Sequence, residues 1–286
     1  MKIVVTGAAG MLGSDVVRVA SGVRHEVVAL GHDDVDVTNP ADVERTIDRH
    51  RPGAVINCAA WTDVDGAEQN EREAALVNGE GAGYVAGAAA KVDAKVLYVS
   101  TDYVFDGGKR GPYLESDETA PIQAYGRSKL AGERATALAN ERSFIVRSSW
   151  LFGIGGRNFV ETMLQLAARQ PEVLVVSDQV GCPTYTVHLA DGIARLIEGE
   201  AYGIHHMAAS GSCSWYEFAQ EIFDQSGVEC RVMAATTEML GRDAPRPPYS
   251  VLESERPDAI RLPIWREGLS EYLRERESLG RGVEAA

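Results

Sequence analysis

The stretch "KIVVTGAAGMLGSDVVRVAS", residues 2–21, decides the fold. Residues 2–6 form a short, continuous, β-branched run, the pattern of a strand buried on both faces. Gly7, Gly10 and Gly13 follow at intervals of three, and a helical apolar pattern begins directly behind them. Strand, glycine turn and helix in that order make a phosphate cradle. Gly7 permits the tight turn, Gly10 lets the backbone approach a pyrophosphate, and Gly13 lets the helix pack against the sheet. The first N–H groups of that helix then face the anion. The spacing is GxxGxxG rather than the GxGxxG of ordinary dehydrogenases. In this context it predicts dinucleotide binding.

The same rhythm continues outward. "EVVAL" (26–30), "AVINCAA" (54–60), "KVLYVST" (95–101) and "SFIVRSS" (143–149) read as further buried strands. Helical patterns separate them: "NPADVERTIDRH" (39–50), with Asn39 as N-cap and Pro40 in the first turn, and "GAGYVAGAAAKV" (81–92). Strands buried on both faces and alternating with helices require a parallel sheet with right-handed crossovers. The expected class is α/β: a Rossmann-like doubly wound parallel sheet with a smaller C-terminal α/β substrate lobe. Residues 1–150 are expected to bind NAD(P), with a returning segment around 178–207, and 151–286 to form mainly the substrate lobe. Beyond residue 150, "NFVETMLQLAARQ" (158–170), "VHLADGIARLIEG" (187–199), "SWYEFAQEIFDQSG" (214–227) and "WREGLSEYLRERES" (265–278) are helical patterns. "EVLVVS" (172–177) reads as a strand, and "YGIHHMA" (202–208) can return to the sheet. The proline- and arginine-rich "GRDAPRPPYSVLESERP" (241–257) reads as an ordered surface segment, and the tail 279–286 as frayed.

Bulk properties exclude several classes. The 286 residues carry 28 basic against 42 acidic side chains, a formal charge of −14, which repels phosphate backbones and anionic lipid. Neither nucleic acid nor membrane is an expected partner, and no stretch approaches the roughly 20 apolar residues of a membrane span. Cys58, Cys182, Cys213 and Cys230 are scattered without ligand spacing, as expected of reduced thiols in the cytoplasm. The end of the second strand normally selects the cofactor. Here it reads Gly31-His32-Asp33 with no Arg or Lys beside it. That leaves NADH or NADPH open, leaning towards NADH. Asp36 and Val37 could flank the adenine; Asp36 could equally be a loop residue near a helix start. "NCAAWTDVDGAE" (57–68) would carry its backbone, Ala59 included, over the cofactor.

These residues resemble the dTDP-4-dehydrorhamnose reductase family of the extended short-chain dehydrogenase/reductase superfamily. "TGAAGMLG", "NCAAWTDVDGAE", "STDYVFDG", "AYGRSKLAGE", "RSSWLFG", "QVGCPTY" and "RPPYSVLES" look like its motifs in family order, over nearly the whole chain. The resemblance implies NAD(P)H-dependent reduction of a 4-keto nucleotide sugar. It implies Thr101, Tyr125 and Lys129 as catalytic trio, with Thr101, Asp102 and Trp150 at the sugar nucleotide. Gly10, Met11 and Leu12 would meet the pyrophosphate, Asp36 and Val37 the adenine, and Ala60, Trp61 and Thr62 the middle of the cofactor. Related 4,6-dehydratases place a glutamate after the equivalent of Asp102. Tyr103 stands there in this chain, which argues for reduction. Asn158 and Arg246 are further substrate candidates, Arg246 for the diphosphate, although a plain surface arginine fits it nearly as well. Some members bind magnesium through glutamates. Asp15 stands near one such position, but Val187 and His188 follow where an acid would be wanted, so no metal is expected. His188, His205 and His206 are expected in core or surface roles. A homodimer is compatible with the sequence. The non-catalytic subunit of methionine adenosyltransferase resembles the same family and is the rival reading, as is a reductase of another dTDP-4-keto-deoxysugar.

Tyr125 and Lys129 are four apart, on one helical face. A free phenol has a pKa near ~10, and lowering it by three units takes roughly 4 kcal/mol. One cation at ~4 Å supplies about that much at an effective dielectric near 20. The expectation is therefore a phenol made acidic by Lys129, donating its proton to the C4 oxygen.

Overall fold

The computed structural model describes residues 1–23 and 25–284, with side chains as far as Leu279. Six strands form the central sheet: β1 (Lys2–Thr6), β2 (Glu26–Leu30), β3 (Ala54–Asn57), β4 (Lys95–Thr101), β5 (Ser143–Ser148) and β6 (Gly203–His206). They run in the order β2-β1-β3-β4-β5-β6, every pairing parallel. β3 and β5 are buried throughout, as their continuous apolar runs require. β2 closes one edge and is only part-buried. The segment expected to return does so: His205 pairs with Val146 and His206 with Arg147.

Side chains alternate across the sheet. Ile3 and Val5 of β1 face α1 (Met11–Gly22) and α8 (Thr186–Leu196), packing with Val16, Leu189 and Ile193. Val4 faces the other side, packing with Val43 and Ile47 of α2 (Pro40–His50) and Val85 of α5 (Gly81–Lys91). α5 is rich in small residues because α6 (Ala124–Ala139) lies against it. A Cβ on Gly83 would stand 3.1 Å from that of Ala135. Asn39 caps α2 as expected, accepting from Ala41 and Asp42.

Between β3 and α5 the chain makes α3 (Val64–Gln69), α4 (Glu71–Ala75) and a π-turn (Leu76–Glu80), none of which the sequence pattern announced. In the second half, strands Glu172–Val176 and Arg231–Ala235 pair in parallel. α7 (Phe159–Ala167), α9 (Trp215–Ser226) and α11 (Trp265–Glu284) close a second core around Phe152, Phe218, Leu269 and Tyr272. α9 begins with a reciprocal Ser214–Glu217 capping box and ends at left-handed Gly227. α10 (Thr237–Leu240) leads into residues 241–257. That segment is the expected surface element only in part: Gly241, Arg242, Asp243, Pro245 and Pro248 are exposed, while other residues are buried. Ala244 and Ser250 are each 1% exposed and Leu252 is 5% exposed. Leu252 bridges Tyr113 and Tyr249 bridges Val180, so the segment threads between the two halves as a strap. The tail expected to fray ends outside the described residues, and α11 continues as far as Glu284. Among the described residues no helix is long and apolar enough to cross a membrane.

Candidate active site

The strand order reverses between β1 and β3, and in open parallel sheets the crevice beyond the carboxyl ends at such a point receives the ligand. Gly7 ends β1 there with φ +65°, and a Cβ on it would stand 2.6 Å from the Ala59 nitrogen. Only glycine fits. Gly13 differs in detail from its expected role. A Cβ there would lie 2.1 Å from the Gly7 carbonyl oxygen, so its bareness makes room for the turn itself rather than for the sheet. Gly10 is the N-cap of α1 and provides no side-chain cap, leaving the first amides of the helix without a side-chain acceptor. Leu12 is buried in the core, so only its backbone can meet a ligand. Met11 is part-buried and packs beneath Gly153 and Gly156.

Two asparagines that sequence reasoning missed hold this end together. Asn57 Oδ1 accepts from the Thr6 hydroxyl at 2.8 Å and from the Ala59 amide at 3.1 Å, tying the ends of β1 and β3 to the turn. Asn78, fully buried in the π-turn, accepts from the Trp61 amide and donates to the Trp61 carbonyl. It also donates to Ser128, whose hydroxyl donates to the Tyr125 carbonyl. The loop Ala59–Thr62 and the helix of Tyr125 are thus pinned by one amide. The only signal in the sequence was an asparagine inside a helical run. Asp36 is exposed, and its carboxylate accepts from the Thr38 amide and hydroxyl, which hold it below the usual range. Val37 is 9% exposed and belongs to the core beside Leu30 and Val85.

Thr101 ends β4, and Tyr125 and Lys129 project from the first turns of α6. The Thr101 hydroxyl donates to Asp102 at 3.0 Å and accepts from the Tyr103 amide, and its proximity to Tyr125 favours the ionised phenol. Burial opposes it and, with the Asp102 carboxylate, raises the phenol above its ordinary value. The expected acidification by Lys129 is absent, and the reason is burial. Lys129 is 3% exposed, its ammonium sits 4.2 Å from the centroid of the Tyr98 ring, and desolvation brings it down to about 7. Glu133 and Cys58 oppose that fall. Glu133 is itself held in a buried network that the sequence did not announce. It makes a two-pronged pair with Arg147 at 2.8 and 2.7 Å and accepts from Ser100 at 2.5 Å. Arg147 lies over Phe105 and reaches His206. Beside Thr101, Asp102 is 2% exposed and accepts from Ser250 of the strap at 2.5 Å. Burial pushes its carboxyl up to about 7 against the hydrogen bonds from Ser250 and Thr101.

Across the cleft, Trp150 adopts φ +48° and stacks flat on Trp215 at 3.5 Å. Gly181 lies so close to it that a Cβ would stand 2.4 Å from the indole. Tyr103 stands edge-on to Tyr125 at 6.3 Å between ring centres, at the cleft rather than in the core. Arg246 is no plain surface arginine: it pairs with Asp65 at 2.6 Å and is 14% exposed. Asn158, a substrate candidate from the sequence, caps α7. Its Oδ1 accepts from the Glu161 amide and its Nδ2 donates to the Gly153 and Gly156 carbonyls, so its polar atoms are already occupied. His205 and His206 are buried on backbone carbonyls, and His188 pairs with Glu271. Asp15 pairs with Arg18 and accepts from Thr186. Among the described residues no group of three or more His, Cys, Asp or Glu could hold a metal.

The sequence profile of the RmlD substrate binding domain matches residues 1–278. A dTDP-4-dehydrorhamnose reductase of Streptomyces griseus is 44% identical, over 93% of this chain and 91% of its own. A dTDP-4-keto-6-deoxy-D-glucose reductase of Streptomyces niveus is 43% identical, over 87% of each. A crystal structure of dTDP-4-dehydrorhamnose reductase from Bacillus anthracis in complex with NADP superposes with a TM-score of 0.93 at 39% identity, covering 96% of this chain and 99% of that one. A glycine cradle at the switch point, Tyr125 one turn from a buried lysine, and matches over nearly the full length agree: the chain belongs to the RmlD family of dTDP-4-dehydrorhamnose reductases.

Proposed function

We propose that this chain reduces the keto group of a dTDP-4-keto-deoxysugar with NADH or NADPH, dTDP-4-dehydrorhamnose going to dTDP-rhamnose. The observation that carries the reading is Thr101 at the end of β4 with Tyr125 and buried Lys129 one turn apart on the helix packed against it, at the end of the sheet where the glycine turn lies. The dinucleotide fits the residues present. The uncapped amides of α1 supply donors for its pyrophosphate, Gly7 and Gly13 keep the turn low, and the loop 59–62 runs along its middle. Bound there, it would supply the hydride.

In this reading Tyr125 gives its proton to the C4 oxygen and Thr101 hydrogen-bonds the same oxygen. A phenol raised by its surroundings suits a reductase. The donor must be neutral before the hydride moves, and the alkoxide then formed is a far stronger base than a phenolate. Lys129 holds the ribose and steadies the phenolate until solvent returns the proton. Asp102 and Trp150 line the sugar site, and Arg246 pairs with the diphosphate. Residues 1–150 with the returning segment hold the cofactor and 151–286 mainly the substrate. A cytoplasmic location and a homodimer belong to the same proposal, and no metal does.

The experiment supplies the keto sugar enzymatically from dTDP-glucose and follows NADH and NADPH consumption separately. Consumption with dTDP-rhamnose identified as product supports the reading. Turnover to a different dTDP-deoxysugar would favour the second reading, which the comparable identity to the Streptomyces niveus reductase, 43% against 44%, keeps in view. Dinucleotide binding without turnover on any keto sugar would instead point to a regulatory protein.

A further inference from the structure

Asp65 lies in the first turn of α3, directly after the loop 59–62, and three strap groups converge on its carboxylate. Oδ1 accepts from Arg246 Nη1 at 2.6 Å and from the Ala244 amide at 3.1 Å, while Arg242 Nη1 lies 3.7 Å from Oδ2. Arg246 Nη1 also donates to the Ala244 carbonyl at 2.6 Å, so one end of the guanidinium is fixed in a closed ring of contacts. Elsewhere the guanidinium lies near Tyr103, whose ring borders Tyr125. One turn along α3, Gln69 donates to Asp243 at 3.2 Å. A cavity of about 350 Å³ lined by Asp65, Leu240, Gly241, Arg242 and Asp243 opens beside the pair.

An arginine in a proline-flanked loop samples many rotamers, and fixing it when substrate arrives costs affinity. Here a partner from the other half of the molecule does the fixing in advance. The carboxylate satisfies one edge of the guanidinium fork and leaves the planar group oriented by an element that continues the dinucleotide loop.

We infer that Asp65 is a positioning residue that holds Arg246 across the cleft for the diphosphate of the nucleotide sugar and thereby links dinucleotide occupancy to nucleotide-sugar affinity. This rests on the reading of Arg246 as the diphosphate partner. Ordering the loop 59–62 orders α3, and α3 carries the carboxylate that aims the arginine. By reciprocity, dTDP then tightens the dinucleotide by the same factor.

Calorimetric titration of dTDP into the wild type, Asp65→Asn, Arg246→Ala and the double variant, each with and without NADPH, tests this. NADPH is expected to tighten dTDP on the wild type, and no such gain would overturn the linkage; Asp65→Asn is expected to weaken dTDP about 10-fold and to abolish that gain. NADPH binding alone should stay within about twofold, which also reports that the variant is folded. In turnover KM rises while kcat holds. Asp65→Glu, which keeps the charge, recovers most of the affinity and serves if the asparagine variant does not fold. The double variant binds dTDP no more weakly than Arg246→Ala. Unchanged dTDP affinity in Arg246→Ala would overturn the reading of Arg246 and the inference with it. A weakened Arg246→Ala beside an unchanged Asp65→Asn would overturn the positioning role alone. Tighter dTDP binding in Asp65→Asn would do so too, making Asp65 a competitor of the diphosphate.

Discussion

The two walls of the cleft are built by different means. The wall at the ends of β1 and β3 is set by backbone: a left-handed glycine, a second glycine on which a Cβ would overlap a carbonyl oxygen at 2.1 Å, and an uncapped helix end. The wall formed by the strap is set by side chains meeting across the chain, Asp65 with Arg246 and Asp102 with Ser250. The first kind of wall tolerates no added atom, while the second tolerates substitution but loses aim. The first should bind a common cofactor in a fixed way, and the second can be retuned for different sugars.

The sharpest break would come at the turn. Gly13→Ala puts a Cβ where the Gly7 carbonyl stands, and dinucleotide binding is expected to fall by at least about 100-fold in a fluorescence titration. Retained affinity would mean that the turn is soft and the contrast unfounded.

Beneath both walls lies the buried Glu133–Arg147 pair, with side chains 5% and 2% exposed. Glu133→Gln leaves Arg147 buried without its counter-charge and should cost about 3–5 kcal/mol in urea unfolding. It also removes the charge that supports the Lys129 ammonium. The alkaline limb of the activity profile should then move to lower pH.

Asp102 links the two walls and should register in pH-dependent stability. Its carboxyl titrates near about 7 in the folded chain, above the ~3.9 of an unfolded aspartate. Between those values the folded state keeps a proton that the unfolded state has lost. The stability gained in this way is full below the unfolded value and is lost as pH rises through the folded one. Asp102→Asn does not titrate, so its stability relative to wild type should improve by about 2–4 kcal/mol from pH 4 to pH 8. A constant difference across that range would contradict the burial of the charge.

The smallest effect is expected at Asn158. As a cap of α7, Asn158→Ala should cost about 1 kcal/mol of stability with KM for the nucleotide sugar unchanged. A raised KM with unchanged stability would restore its role as a substrate contact.

What could be read from the sequence follows the same division. Strands β1, β2 and β4, the capped α2 and the glycine turn were legible because their signals are local: β-branched runs, Asn39 before Pro40, glycines at fixed spacing. The buried part of the strap was missed because proline and arginine usually mark surface, as Arg242 and Pro245 do here, and its burial comes from partners far away in the chain, such as Tyr113 and Asp102. The acidity of Tyr125 was misjudged for a related reason. Helical spacing gives the distances from Lys129 to Tyr125 and Glu133, each four residues away, but not the dielectric around them, and Tyr98 contributes from β4, outside that spacing. Asn78 and Asn57 each work through a single amide and carry no pattern.

The central claim is that a neutral Tyr125 phenol, beside Thr101, delivers the proton. Its most direct test is NADPH consumption by Tyr125→Phe with the dTDP-4-keto sugar, alongside NADPH binding to the same preparation. The expected result is unchanged binding with turnover reduced by about 10²–10⁴-fold. Near-wild-type turnover by the phenylalanine variant would contradict the claim.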